Sequence, residues 1–144
     1  MANPHFRAGV VIVVRRADGQ VHAFERADLT GEWQLPQGGI EKGETALDAA
    51  WRELDEETGL GPTEVRLVEE YDGWTVYEWP TPVRRGHRFG QVHRWFFFEP
   101  LHDELRPRPD GDEFSAWRWM SVEALIDRVV DFRKAPYRQV LGDG

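Results

Sequence analysis

The first chemistry this sequence offers is a cluster of carboxylates. Glu53, Glu56 and Glu57 stand at i, i+3 and i+4, and on a helix turning about 100° per residue they share one face. Like charges at those spacings cost a helix roughly 0.2–0.5 kcal/mol per pair, and an ordinary solvated face interleaves bases to reverse the sign. Here only Arg52 is near. Leu47, Ala50 and Leu54 recur at helical spacing beside the acids, so the patch borders the buried side. Repulsion of this kind is relieved by protonation or by a cation. An all-oxygen site suits hard divalent ions such as magnesium or manganese. The chain has no cysteine, which excludes thiolate metal sites, disulfides and cysteine nucleophiles together. His5, His22, His87, His93 and His102 show no ligand spacing, and none is assigned to catalysis.

By themselves three glutamates read first as a solvated helix face, and the segment before them shifts the balance. Gly38 and Gly39 allow close backbone approach and leave carbonyls and amides free, while Glu44 arrives at the helix start. Thr45 is an N-cap with Asp48 three residues on, and Gly59 is a terminator, so 45–58 is predicted as the strongest helix. Ahead of it, 28–43 holds Gly31, Pro36, Gly38, Gly39 and Gly43 and reads as an ordered loop anchored by Trp33, Leu35 and Ile40.

The remaining elements must position that helix. Residues 6–14 and 21–26 read as strands of a hairpin joined by a turn at 17–20. Further strands are predicted at 65–71, 74–79, 91–99 and 116–120, with Trp117 and Trp119 sharing a packed face. Ser121 opens a short helix, and Pro136 is expected to start a last one ending at Leu141. Strands outnumber helices and surround the long one, which predicts a mixed sheet with helices packed on it, of α/β (α+β) class.

Length and charge bound the rest. A chain of 144 residues with 40% apolar residues and 18 aromatics is sized for one domain, 1–144, with a single core. The longest aliphatic run, 10–14, is far short of a membrane span, and the first residues lack the apolar stretch of a signal peptide. A soluble, cytoplasmic protein without a membrane partner is expected. The net charge of −8 argues against sequence-independent grip on DNA or on long RNA. Residues 41–72 carry eleven acids against three bases, so the whole surplus lies around the glutamate patch.

Residues 38–60 read Gly38, five residues, Glu44, seven residues, then Arg52-Glu53-Leu54-Asp55-Glu56-Glu57-Thr58-Gly59-Leu60. This run resembles the Nudix box, G-x5-E-x7-R-E-U-x-E-E-x-G-U with U aliphatic, at every fixed position. The resemblance implies the Nudix fold, a mixed β-sheet sandwiched between α-helices in which the box forms a loop-helix-loop. It also implies metal-dependent hydrolysis of a nucleoside diphosphate linked to another moiety, with two or more Mg2+ ions or Mn2+ in their place. Glu53, Glu56 and Glu57 would then be metal ligands, the Gly38 carbonyl a further one, and Arg52 would orient the glutamates. Glu44, Gly39 and Gly59 would be structural.

Similarity reaches beyond the box. Trp33-Gln34-Leu35-Pro36-Gln37-Gly38-Gly39-Ile40 is similar to the lead-in of the family's branch of bacterial RNA 5′-pyrophosphohydrolases and dinucleoside polyphosphate hydrolases. By that similarity Glu113 would be an extra carboxylate that binds metal or polarises the attacking water, on a turn-rich loop able to swing over the site. Arg7, Arg26 and Arg94 are candidate phosphate clamps. Tyr77, Phe132 and Arg133 would hold the nucleotide end. The segment 82–91 is shorter than in the RNA-processing relatives, yet Arg84, Arg85, His87, Arg88, His93 and Arg94 form a basic run able to meet the 5′ end of an RNA. The expected substrate is a dinucleoside polyphosphate or a triphosphorylated RNA 5′ end. The competing readings are another nucleoside diphosphate derivative, such as ADP-ribose or a modified nucleoside triphosphate, and a silent nucleotide sensor. Monomer and dimer both remain open.

Overall fold

Val10, Val11, Ile12, Val13 and Val14 are five β-branched residues in succession, and all are buried. A strand with both faces apolar needs a cover on each side, and that requirement organises the molecule. The computed structural model describes residues 5–84 and 86–142. Along the chain lie β1 (His5–Val14), β2 (Val21–Arg26), β3 (Trp33–Gln34), β4 (Gln37–Gly39), α1 (Ala46–Thr58), β5 (Val65–Glu70) and β6 (Thr75–Glu78). A 3-10 turn at Thr81–Val83 follows, then β7 (Arg88–Pro100), β8 (Phe114–Met120), α2 (Val122–Arg128) and α3 (Asp131–Leu141).

Two sheets form. A mixed five-stranded sheet runs β4-β1-β7-β5, with β6 also paired to β7. In it β1 and β7 are parallel and the other pairings antiparallel. A three-stranded antiparallel sheet runs β3-β2-β8. On one face of β1, Val10, Ile12 and Val14 pack with Phe96 and Phe98 against Ala49, Ala50 and Leu54 of α1. On the other face, Val11 and Val13 pack with Trp95 and Phe97 against Val21 and Ala23 of β2, Leu125 of α2 and Tyr137 of α3. Each fully buried aliphatic or aromatic side chain contributes about 1.5–3 kcal/mol of transfer free energy. Among the described residues no helix is long and apolar enough to cross a membrane.

The structure corrects three local expectations. β1 and β2 are not a hairpin: each has both edges taken by other strands, and only the Arg15–Val21 bridge joins them across the turn. The turn instead carries the chain from one sheet to the other. The 28–43 loop contains two short strands, β3 and β4, because Gln37, Gly38 and Gly39 pair with the edge of β1. Pro136 does not start α3 but lies inside it. Its ring forfeits one backbone hydrogen bond, and it is buried beside Tyr137.

Candidate active site

The helix ends are set locally. Thr45 Oγ1 accepts the Asp48 N–H at 3.1 Å, and Gly59 takes a left-handed conformation, φ 73°, its N–H donating to the Asp55 carbonyl. With the ends fixed, α1 presents Arg52 to four acceptors. Its guanidinium donates bidentately to Glu44 at 2.8 and 2.9 Å, to the Gly39 carbonyl at 2.9 Å, and to Glu53 Oε1 at 2.8 Å. Glu56 Oε2 accepts from the same nitrogen as Glu53, at 3.3 Å. This hub ties the glycine strand β4 to the helix. The Arg52 guanidinium holds the Glu44 carboxyl down at about 2.

Two glycines let the elements meet. A Cβ on Gly38 would lie 2.0 Å from Glu53 Cδ, and one on Gly39 2.2 Å from an Arg7 guanidinium nitrogen. β4 therefore admits the carboxylate of Glu53 and the cation of Arg7, each in the space of a missing side chain. A recess of ≈ 250 Å³ opens there. Its lining brings together three carboxylates, Glu53, Glu57 and Glu113, and three guanidinium groups, Arg7, Arg26 and Arg133. Glu53 and Glu57 are buried although they carry carboxyls. Burial raises both, and for Glu57 the neighbouring Glu53 and Glu113 carboxylates add to it, taking its pKa to about 10. Glu57 Oε2 is buried without a hydrogen-bond partner.

The amides of Gln34, Gln37 and Gln91 also line the recess, and the buried phenol of Tyr77 helps to tie them together. Arg133 donates to Gln34 Oε1 at 2.7 Å and to the Tyr77 hydroxyl at 3.3 Å. Tyr77 in turn donates to Gln91 Oε1, which also receives the Gln37 amide at 3.4 Å. None of Gln34, Gln37 and Gln91 is marked for the site by its residue type, although Gln34 and Gln37 belong to the Trp33–Ile40 lead-in and Gln91 follows Gly90 in a further stretch of family similarity. Tyr77 is buried beneath Phe132, ring centroids 5.5 Å apart. It supports rather than presents a stacking face. Phe132 lines a neighbouring open recess of ≈ 690 Å³ with Val129 and Pro80.

Other residues named from the sequence lie apart. Glu56 sits on the exposed flank of α1, and Arg94 is not among the residues lining the recess: it pairs with Glu70 and stacks over Trp74. Position 94 projects opposite to 91 and 93 on β7, which turns it away from the recess that Gln91 lines. Arg26 lines the recess while paired with Asp28 at 2.9 Å. Trp119 packs on the core beside α1. Arg85 of the basic run lies outside the described residues.

Among the described residues no three acidic or imidazole side chains converge tightly enough to enclose an ion unaided. That suits magnesium, which commonly takes one or two carboxylates, waters and substrate phosphates. Glu57 supplies the unpaired buried oxygen such an ion would complete. Carboxylates and arginines in one lining suit a phosphate chain, whose charges the arginines match and which cations would screen from the acids. Sandwich and recess together define a phosphate-handling hydrolase. The NUDIX domain family model matches residues 5–140, and the chain belongs to the Nudix family.

The family's hydrolases generally use divalent metal ions. A protein of Halorhodospira halophila named RNA pyrophosphohydrolase is 42% identical over 94% of this chain and 78% of its own. One of the same name from Rhodospirillum rubrum is 38% identical over 96% of this chain and 86% of its own. The E. coli dihydroneopterin triphosphate pyrophosphohydrolase shares the fold, with a TM-score of 0.78 at 21% identity over 96% of this chain and 99% of that one. The protein is a hydrolase that cleaves pyrophosphate bonds of nucleotide derivatives.

Proposed function

We propose that this enzyme removes pyrophosphate from the triphosphorylated 5′ end of RNA. The observation that carries the reading is the unpartnered Glu57 oxygen, on a residue that lines the same recess as three arginines. Glu53, Glu56, Glu57 and Glu113, with the Gly38 carbonyl, would hold two or more Mg2+ ions, or Mn2+ in their place. Bound there, such ions supply charge neutralisation, polarised phosphate oxygens and a water of lowered pKa. Arg7, Arg26 and Arg133 bind and orient the phosphate oxygens. Arg52 fixes Glu53 and Glu44, and the Glu113 carboxylate receives a proton from the attacking water. Water oxygen bonds to phosphorus as the phosphoanhydride bond breaks, in line with the leaving oxygen. The products are pyrophosphate and a 5′-monophosphorylated RNA.

The names of the relatives at 42% and 38% identity support RNA as substrate. Arg84 and Arg88 offer cations near the start of β7, and an overall pI near 5.1 limits the contact to the first nucleotides. The recess beside Phe132 favours a second reading, a dinucleoside polyphosphate whose second nucleoside rests there. A cytoplasmic location is part of this proposal. A panel of triphosphorylated RNA, diadenosine tetraphosphate, ADP-ribose and a modified nucleoside triphosphate, at equal enzyme and saturating Mg2+, tests the assignment. Pyrophosphate release fastest from RNA is expected. Faster cleavage of diadenosine tetraphosphate selects the second reading, and no metal-dependent turnover of any substrate overturns both.

A further inference from the structure

We infer that Arg108 and Asp110 are positioning residues that pin Glu113 over the acidic wall; the inference rests on the role proposed above for Glu113. Bringing a third carboxylate towards Glu53 and Glu57 is unfavourable by itself, so the loop that carries it needs anchors of its own. The turn-rich segment between β7 and β8 has them. The backbone N–H groups of Asp112, Glu113 and Phe114 converge on one oxygen, Asp110 Oδ1, at 3.1, 2.9 and 3.1 Å. On the other side the Glu113 carbonyl accepts the Ala27 N–H at 2.9 Å. The backbone at Glu113 is thus held from both directions.

A second tether joins the loop to the catalytic helix. Arg108 N–H donates to the Thr58 carbonyl at 2.7 Å, and its guanidinium reaches the Gly59 carbonyl at 3.3 Å. Both acceptors lie at the negative end of α1, directly after Glu57. α1 has no basic residue in its last turn. Arg108 brings the cation that a helix C-terminus favours from a different part of the chain. The sequence suggests a loop that swings an acid over the site. The structure shows the backbone of that acid tied down, with an anchor of its loop placed one residue beyond Glu57.

The test is a double-mutant cycle read by kcat and KM, with melting temperature recorded for every variant. Arg108→Ala and Asp110→Ala are expected to lower kcat roughly 10–100-fold, the scale of a misplaced reacting group, with KM within about twofold. Asp110→Asn should stay within a few-fold of the parent, because its amide oxygen still accepts the three N–H bonds. In a Glu113→Gln background Asp110→Ala should bring no further loss. Should Asp110→Ala fail to fold, Arg108→Ala carries the same cycle: it removes the guanidinium contact to the Gly59 carbonyl while the backbone bond to Thr58 keeps the loop folded. An unchanged kcat in Glu113→Gln removes the role of Glu113 and this inference with it. A slow Glu113→Gln enzyme alongside fast Arg108→Ala and Asp110→Ala enzymes, or losses that multiply in the double variants, overturns the tethering alone.

Discussion

Gly38 and Glu53 occupy one volume: a Cβ on the glycine would sit 2.0 Å from the carboxyl carbon and 2.1 Å from Oε1 of the glutamate. The glycine of β4 is required by what lies opposite it, not by its own backbone angles. Gly38→Ala should therefore displace Glu53 or lift β4 from β1, cutting kcat/KM by roughly two orders of magnitude and lowering stability by about 1–3 kcal/mol. Gly61→Ala is the control. Its nearest neighbour would be Glu64 Oε2 at 3.7 Å, and activity and melting temperature should match the parent.

Metal binding at Glu57 should be coupled to proton release. Its carboxyl is pushed up to about 10 from an ordinary 4.5, so between those values the folded, metal-free protein keeps a proton that the unfolded chain has lost. The stability of the metal-free protein then declines as pH rises through that window. A cation must displace the proton, so affinity should weaken roughly tenfold for each pH unit lowered. The rise in melting temperature with Mg2+ is expected to be larger at pH 9 than at pH 6. Glu57→Gln should fold, lose that pH dependence, and lose activity by orders of magnitude; a normal rate at saturating Mg2+ would refute the ligand assignment.

Two buried imidazoles should set the acid limit of stability. Burial lowers His22 and His93 from 6.5 to about 3, aided by Arg16 for the first and by Arg133 and Arg7 for the second. Both rings stay neutral in the fold while the unfolded chain takes up protons below pH 6.5. Their contribution is present above that pH and lost as pH falls towards 3, on the order of 4 kcal/mol per ring. His22 packs 4.0 Å from the Trp119 ring with neither nitrogen hydrogen-bonded. His22→Leu should move the acid-unfolding midpoint, followed by circular dichroism, to lower pH; an unmoved midpoint would show that this ring does not govern the transition.

Tyr77→Phe keeps the ring under Phe132 and deletes the hydroxyl that joins Arg133 to Gln91. Loss of those hydrogen bonds, worth about 1–2 kcal/mol, should raise KM roughly 5–30-fold with a smaller change in kcat. Steady-state kinetics on triphosphorylated RNA measures both. A change confined to kcat would mean that Tyr77 does not act through Arg133.

What the sequence made legible was local or regular. Thr45 and Gly59 bound α1 because caps act within a turn of the chain, and β-branched runs mark β1 whatever its partners. The acidic wall followed from helical spacing and from the Nudix resemblance. The arginines were another matter. Arg7, Arg26, Arg94 and Arg133 are chemically alike, and only the pairing register of β7 decides that position 94 meets Glu70 instead of the recess. The amides of Gln34 and Gln91 acquire a role only through Arg133 and Tyr77, which lie 99 and 14 residues away from them. The expected hairpin failed for a similar reason: adjacent strands pair only when no distant strand competes for their edges.

The parallel ladder from Phe6–Gly90 to Val14–Phe98 has a cost during synthesis. β1 leaves the ribosome well before β7 and must wait for residues 15–87 to be made before this partner emerges. Long-range pairing of this kind folds slowly, and an apolar strand with an open edge is prone to wrong associations while it waits. The nascent chain is therefore most vulnerable between translation of β1 and of β7, when early docking of α1 on the valines is the available protection.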